Sequence, residues 1–151
     1  NPLFQGIKVV TGNIPPTEPY IQSESIDMVL TFRNLHNWLA RDSMKEVMNE
    51  AYKALKPGGY FGVVEHRAPE GSSLAFMKTS GYVTQSLAIK VAESIGFELI
   101  ATSEINANNK DTKDHPKGVW TLPPSYRLKD KDRSKYEAIG ESDRMTLLFK
   151  K

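Results

Sequence analysis

An α/β fold built on a mostly parallel sheet is predicted by three observations. Residues 25–65 run as strand, loop, helix, Pro-Gly-Gly turn and strand. The first of those strands is apolar at nearly every position. A second helix and two further strands follow, so the hydrophobic period switches repeatedly between the two kinds of element.

Along the chain, Ile7 to Val10 is a short β-branched run closed by Thr11-Gly12-Asn13 and Pro15-Pro16, the pattern of a buried strand and a loop. Met28-Val29-Leu30-Thr31-Phe32 has the continuous apolar character of a parallel strand covered on both faces. Ser43 to Lys56 places Met44, Val47, Met48, Ala51, Ala54 and Leu55 on one helical stripe, with Ser43 and Glu46 spaced as a capping box and Pro57-Gly58-Gly59 forbidding continuation. Tyr60 to Glu65 is the next strand. Tyr82 to Ser94 repeats apolar residues at steps of four and meets a stop at Gly96; Phe97 to Ser103 and Met145 to Phe149 are the last strands. Gly71-Ser72-Ser73 lacks a nucleophile elbow and is expected to be a flexible loop.

Between Glu104 and Arg144 neither period is sustained. A connection that long inside one domain is more often a lid or binding loop than a plain link. Trp120, Pro123-Pro124 and Tyr126 predict an ordered centre, and the polar stretches 106–114 and 129–135 predict solvated, mobile flanks.

The chain has 151 residues, 39% of them hydrophobic and 25% charged, enough for one core. Lys and Arg total 20 against 18 Asp and Glu, and they alternate with acids, as in Lys129-Asp130-Lys131-Asp132-Arg133. That argues against a nucleic-acid footprint, which needs a clustered basic stripe. The absence of cysteine excludes disulfides and thiolate chemistry and fits a cytoplasmic setting. No apolar run approaches the ~20 residues of a membrane span. His36, His66 and His115 show no metal-ligand spacing, so no metal is expected. The first residue is Asn1 rather than Met, so sequence is expected upstream.

Ser25-Ile26-Asp27-Met28-Val29, followed at a suitable distance by Leu55-Lys56-Pro57-Gly58-Gly59 before a strand, resembles the class I S-adenosylmethionine-dependent methyltransferases. The tail, with Lys117-Gly118-Val119-Trp120-Thr121-Leu122-Pro123-Pro124 and Gly140-Glu141-Ser142-Asp143-Arg144, resembles a poorly characterised bacterial group of predicted methyltransferases. The resemblance implies a Rossmann-like sheet of order 3-2-1-4-5-7-6, truncated at the N-terminus. Ile7 to Val10 would be strand 3, Met28 to Phe32 strand 4, Tyr60 to Glu65 strand 5, and the last two strands 6 and 7. Strands 1 and 2 and the glycine-rich loop are absent from the sequence. Gly58-Gly59 cannot replace that loop, because it enters a strand instead of opening a helix.

The same resemblance implies S-adenosyl-L-methionine as cofactor and methyl transfer to a small-molecule acceptor, with an N-terminal half needed in addition. Function in such a sheet collects beyond the carboxyl ends of the strands. Asn13 and Ile14 would then face the adenine, and Phe32, Arg33, Asn34 and Leu35 the methionine part of the cofactor. His36 and His66 are the candidate proton acceptors, with Glu65, Arg67, Trp120 and Tyr126 toward the acceptor. Residues 104–144 would form a substrate cap, in which His115, Lys113 and Lys117 could steer an anion. Structural alternatives accompany these roles: Arg33 paired with Asp42, and Trp38 plugging the start of the helix. A different class of function is a catalytically inactive, methyltransferase-like module that forms a homodimer through the open apolar edge at 28–32. A dinucleotide-binding dehydrogenase half fits the terminal strand pair less well.

Overall fold

A computed structural model describes residues 5–14 and 16–151. In chain order it contains β1 (Ile26–Phe32), α1 (Leu35–Ala40), α2 (Met44–Ala54), β2 (Leu55–His66), α3 (Leu74–Ser80), α4 (Gln85–Ile95), β3 (Glu98–Ser103), β4 (Pro116–Val119), α5 (Arg133–Ile139) and β5 (Arg144–Lys150). Four strands form one sheet in the order β1-β2-β5-β3. β1 and β2 are parallel, joined by a crossover through α1 and α2, while β5 runs antiparallel between β2 and β3. This is the 4-5-7-6 half of the order expected from the sequence. Among the described residues no helix is long and apolar enough to cross a membrane.

The core lies on one face of the sheet. Period-two alternation aims Phe61 and Val63 of β2 and Met145, Leu147 and Phe149 of β5 at Leu35, Leu39, Met44 and Met48 of the first two helices. Phe61 stacks on Phe97 with ring centres 5.2 Å apart, and Tyr52 meets Phe97 edge-on at 4.9 Å. The other face is different. Met28, Leu30 and Phe32 are 49%, 56% and 56% exposed, so the expected coverage of β1 on both faces does not hold. Leu30, Phe32, Gly62, Val64 and Leu148 line a shallow apolar trough made of strand residues alone.

Ile7 to Val10 form no strand. The run is exposed and pairs with nothing, because β-branched propensity is realised only against a partner ladder and β1 has none on its outer edge among the described residues. Pro15, part of the expected loop, lies outside the described residues.

Three element boundaries also depart from expectation. Ser43 Oγ donates to the Trp38 carbonyl at 3.2 Å and not to the first turn of α2, so the Ser43–Glu46 capping box is absent. α2 stops at Ala54, and Leu55 already pairs with Ile26, which draws Lys56-Pro57-Gly58-Gly59 into an irregular start of β2 with Gly58 at φ 79°. Tyr82 and Val83 are fully buried and extended: the Val83 N–H donates to the His66 carbonyl at 2.8 Å, and α4 begins only after the Thr84 cap. The supposed flexible loop at Gly71-Ser72-Ser73 instead introduces α3, whose N-cap Ser73 Oγ accepts from the Phe76 N–H at 3.1 Å.

Residues 104–144 connect β3 to β5 and pack more tightly than their polarity suggests. Asp111, in the stretch expected to be mobile, is buried. It accepts from the Tyr82 hydroxyl at 3.0 Å, from His115 Nε2 at 2.7 Å and from the Asp143 N–H at 2.8 Å. Asn108 donates its amide to the Ile139 and Glu141 carbonyls. The centre docks on the end of α3 through Gly118, at φ 57°, where an added Cβ would lie 2.1 Å from the Ser80 carbonyl oxygen. Backbone cannot yield as a side chain would. Gly118→Ala is expected to lower stability by about 2–3 kcal/mol, read as a reduced midpoint in urea unfolding with unchanged slope.

Candidate active site

Because β1 and β2 are parallel and β5 is antiparallel to β2, the ends of the first two strands and the start of the third meet at one sheet edge. Arg33 follows β1, with its N–H donating to the Val64 carbonyl at 2.7 Å. His66 ends β2 and is paired in the ladder with Arg144 at the start of β5. These residues line a cleft of about 340 Å³ together with Phe32, Asn34, His36 and Ser142; Trp120, Pro123, Pro124 and Ser125 of the insertion close its other side.

The alternation that buries Phe61 and Val63 also points Glu65 inward, where it has no exposed surface. A carboxylate there must be fully hydrogen-bonded. Its Oε1 accepts from the His66 N–H at 2.8 Å and from His36 Nδ1 at 2.9 Å, and its Oε2 from the His36 N–H at 3.2 Å. An ionised carboxylate only accepts, so Nδ1 of His36 is the donor, and in the neutral ring it is Nε2 that carries the lone pair. The His36 ring lies 5.3 Å from that of His66 and 5.9 Å, edge-on, from Trp120.

His66 is held by Ser142, with Nδ1 and Oγ 2.5 Å apart. Burial, then the charge His36 carries when protonated and the positive field of Arg144 and Arg33, pushes its pKa down to about 3, so the imidazole is neutral near pH 7. Arg144 pairs through Nη2 with exposed Glu141, while its Nε is buried without a partner among the described residues.

Of the residues singled out in the sequence, Phe32, Arg33, Asn34, His36, His66 and Trp120 converge on the cleft. Others do not. Asn13 and Ile14 sit on the exposed N-terminal segment, Asn13 near Thr17, and line no part of it. Leu35 is a core residue with no exposed surface. Glu65 lies behind His36 and orients it, out of reach of an acceptor. Arg67 is consumed by Glu104 at 2.7 Å and Asp143 at 3.0 Å, which hold its guanidinium proton more firmly than usual. Tyr126 stacks under Arg133, 4.0 Å from the ring centre, outside the cleft. Lys113 and His115 are paired with Asp143 and Asp111, and neither they nor Lys117 line the cleft. Trp38 packs against the core, as a plug would. Ser142 and Arg144 went unnoticed as site residues because only the strand order sets them beside His66.

The sequence spacing concealed one further juxtaposition. His36, Glu65 and His66 place donor atoms within 4.8 Å of one another, a set that could hold a metal ion. Glu65 already accepts three N–H bonds there, and Arg33 and Arg144 set the local field against a cation.

Residues 2–63 match the family model of a methyltransferase domain. No curated protein matches the chain. Among solved structures it is similar to an S-adenosylmethionine-dependent methyltransferase from Methanosarcina mazei, at 12% identity over 92% of this chain and 64% of that one, with a TM-score of 0.58. It is also similar to a possible histamine N-methyltransferase from Thermotoga maritima, at 18% identity over 97% and 65%, TM-score 0.54. A third similar structure is the cyclase SpnF, at 15% identity over 89% and 52%, TM-score 0.57. At such identities the likeness is one of fold. The chain spans between 52% and 65% of the length of these structures.

The neutral His66 has a thermodynamic signature. Its folded pKa lies below the unfolded value, so the unfolded chain binds the extra proton between about pH 6.5 and 3, and stability falls as pH drops through that window. The expected slope reaches about 1.4 kcal/mol per pH unit in the middle of the window. Urea unfolding from pH 7 to 4.5 should show it, and His66→Gln should flatten it.

Proposed function

The chain has the fold of the class I S-adenosylmethionine-dependent methyltransferases, and on that premise we propose that its protein transfers a methyl group to a small-molecule acceptor seated in the cleft between His36 and Trp120. The observation that carries this reading is the Glu65–His36 pair: a buried carboxylate fixes the tautomer of an imidazole whose free nitrogen is available at the carboxyl edge of two parallel strands.

The residues present fit one wall of a cofactor site. Phe32, Arg33 and Asn34 stand exposed at the end of β1, the last strand of the sheet on that side. S-adenosylmethionine supplies the methyl group as an electrophile on a sulfonium. The chain's own task is to align the acceptor and to manage its proton. His36 Nε2 takes that proton from an O–H or N–H, and Glu65 stabilises the imidazolium that results. Trp120, Pro123 and Pro124 keep water from the acceptor, which makes the 104–144 segment its cap. His66, neutral and tethered to Ser142, offers a hydrogen bond without a charge. The description of the Thermotoga maritima relative as a possible histamine N-methyltransferase supports a small acceptor.

A second reading is favoured by the bare face of β1. Met28, Leu30 and Phe32 suit association with another chain, as an inactive interaction module would require.

Two measurements separate these readings. Calorimetric titration with S-adenosylhomocysteine should show one-to-one binding by the methyltransferase and none by an interaction module. In an acceptor screen, His36→Gln should reduce turnover by ~10²- to 10³-fold while leaving S-adenosylhomocysteine affinity within about threefold. Unchanged turnover would remove the proposed base. If association through β1 is the function, Leu30→Asp should convert a sedimenting dimer to monomer; a wild-type monomer at all concentrations eliminates that alternative.

A further inference from the structure

Every charged side chain lining the cleft is cationic: Arg33 and Arg144 contribute, and no Asp or Glu is among the lining residues. Glu65 lies behind, its oxygens taken by His36 and the His66 N–H. Arg33 has no ion pair among the described residues, because its expected partner Asp42 is bound by Lys78. It also sits at φ 57°, a left-handed conformation that it shares with six other non-glycine residues of those described. Arg144 spends one nitrogen on exposed Glu141 and leaves Nε buried and unpartnered. Burying a charged donor without an acceptor is costly, which leaves Arg144 under-satisfied at the wall of the cleft. Ser142, between His66 and Arg144, adds a hydroxyl to the same wall.

We propose that Arg33 and Arg144 form an anion clamp that selects acceptors bearing a carboxylate or phosphate, with the apolar or aromatic part of the acceptor against Trp120. This deepens the methyltransferase reading and rests on it for the word acceptor; the clamp itself stands on the cleft geometry. Guanidinium groups suit the role because they present paired N–H donors to two oxygens at once and remain charged. Burial first, and the positive field of Arg33 after it, lowers the proton affinity of Arg144, and the same two causes act on His66, so part of the cost of this wall is mutual repulsion among its cations. An anion relieves that cost. A neutral isostere of the same acceptor does not, and the cleft discriminates against it.

The same chemistry could instead serve the carboxylate of the cofactor's amino-acid part, so the test has two arms. In the Trp38→Phe protein, where Trp120 is the remaining tryptophan, fluorescence is titrated with benzoate and with inorganic phosphate at constant ionic strength. Saturable binding of at least one probe is expected, weakened at least ~10-fold by Arg144→Gln and by Arg33→Gln. Arg33 is exposed, so its variant keeps the fold even if Arg144→Gln does not. Arg127→Gln, which removes the guanidinium stacked 4.7 Å from the Trp120 ring centre outside the cleft, should leave affinity unchanged. The absence of saturable binding, or binding indifferent to both cleft arginines, overturns the clamp. In the second arm S-adenosylhomocysteine is titrated into the same variants. An affinity loss equal to that for benzoate, with mutual exclusion of the two ligands, assigns the clamp to the cofactor and overturns the acceptor proposal. Arginine-dependent benzoate binding supports the clamp; if the full-length protein, carrying the N-terminal half as well, then binds no S-adenosylhomocysteine, methyl transfer fails while the clamp stands.

Discussion

The buried carboxylate of Glu65 is the constraint on which the rest of the site depends. It stands on the core face of β2, directly after Phe61 and Val63, in a position that a valine would fill at no electrostatic cost. Its desolvation is offset by three N–H donors, two of them from His36. That requirement fixes where α1 begins, which way the His36 ring faces and which of its nitrogens is free. Removing the carboxylate would leave those donors unpaired, so geometry and chemistry at this edge are one and the same feature.

A second polar network plays the corresponding part for the insertion. Asp111 joins Tyr82, His115 and the backbone of Asp143, while Asp143 binds Arg67, Lys113 and the Asn108 N–H. Burial alone would raise the Asp143 pKa, but hydrogen bonds from Arg67, Lys113 and Asn108 outweigh it and hold the carboxyl down to about 2. The network pins both ends of the 104–144 segment to the end of β2. It thereby keeps Ser142 and Arg144 beside His66 and carries Trp120 to the opposite side of the cleft. Residues that resembled solvated linker are the mooring of the site.

The sheet shows what local pattern can and cannot convey. Met28 to Phe32 was legible as a strand, because continuous apolar character survives without knowledge of partners, but the cover on both faces that the same character suggested is absent. Ile7 to Val10 was equally apolar and is not a strand, because a strand exists only as part of a ladder. The two-residue alternation in β2 and β5 told which residues face the core, and the glycines and proline after α2 told roughly where it ends. α3 was missed although Ser73 carries the mark of an N-cap, since a helix of seven residues leaves too few turns for a period to show.

For function, the sequence by itself determined β1, α2, β2, α4, β3 and β5 in their order and the cluster Phe32-Arg33-Asn34-His36 after β1, because these follow from local periodicity and from the rule that sites gather beyond parallel strand ends, while the sheet half they build was implied by the family resemblance. Tertiary structure alone decided the site's membership. Glu65 lies behind His36, Arg67 and Tyr126 fall outside the cleft, and Ser142 and Arg144 line it. Their places depend on β5 inserting antiparallel beside β2, which juxtaposes residues 76 positions apart, as in the His66–Ser142 contact. No local pattern encodes that contact; it exists only when the whole sheet satisfies its hydrogen bonds at once.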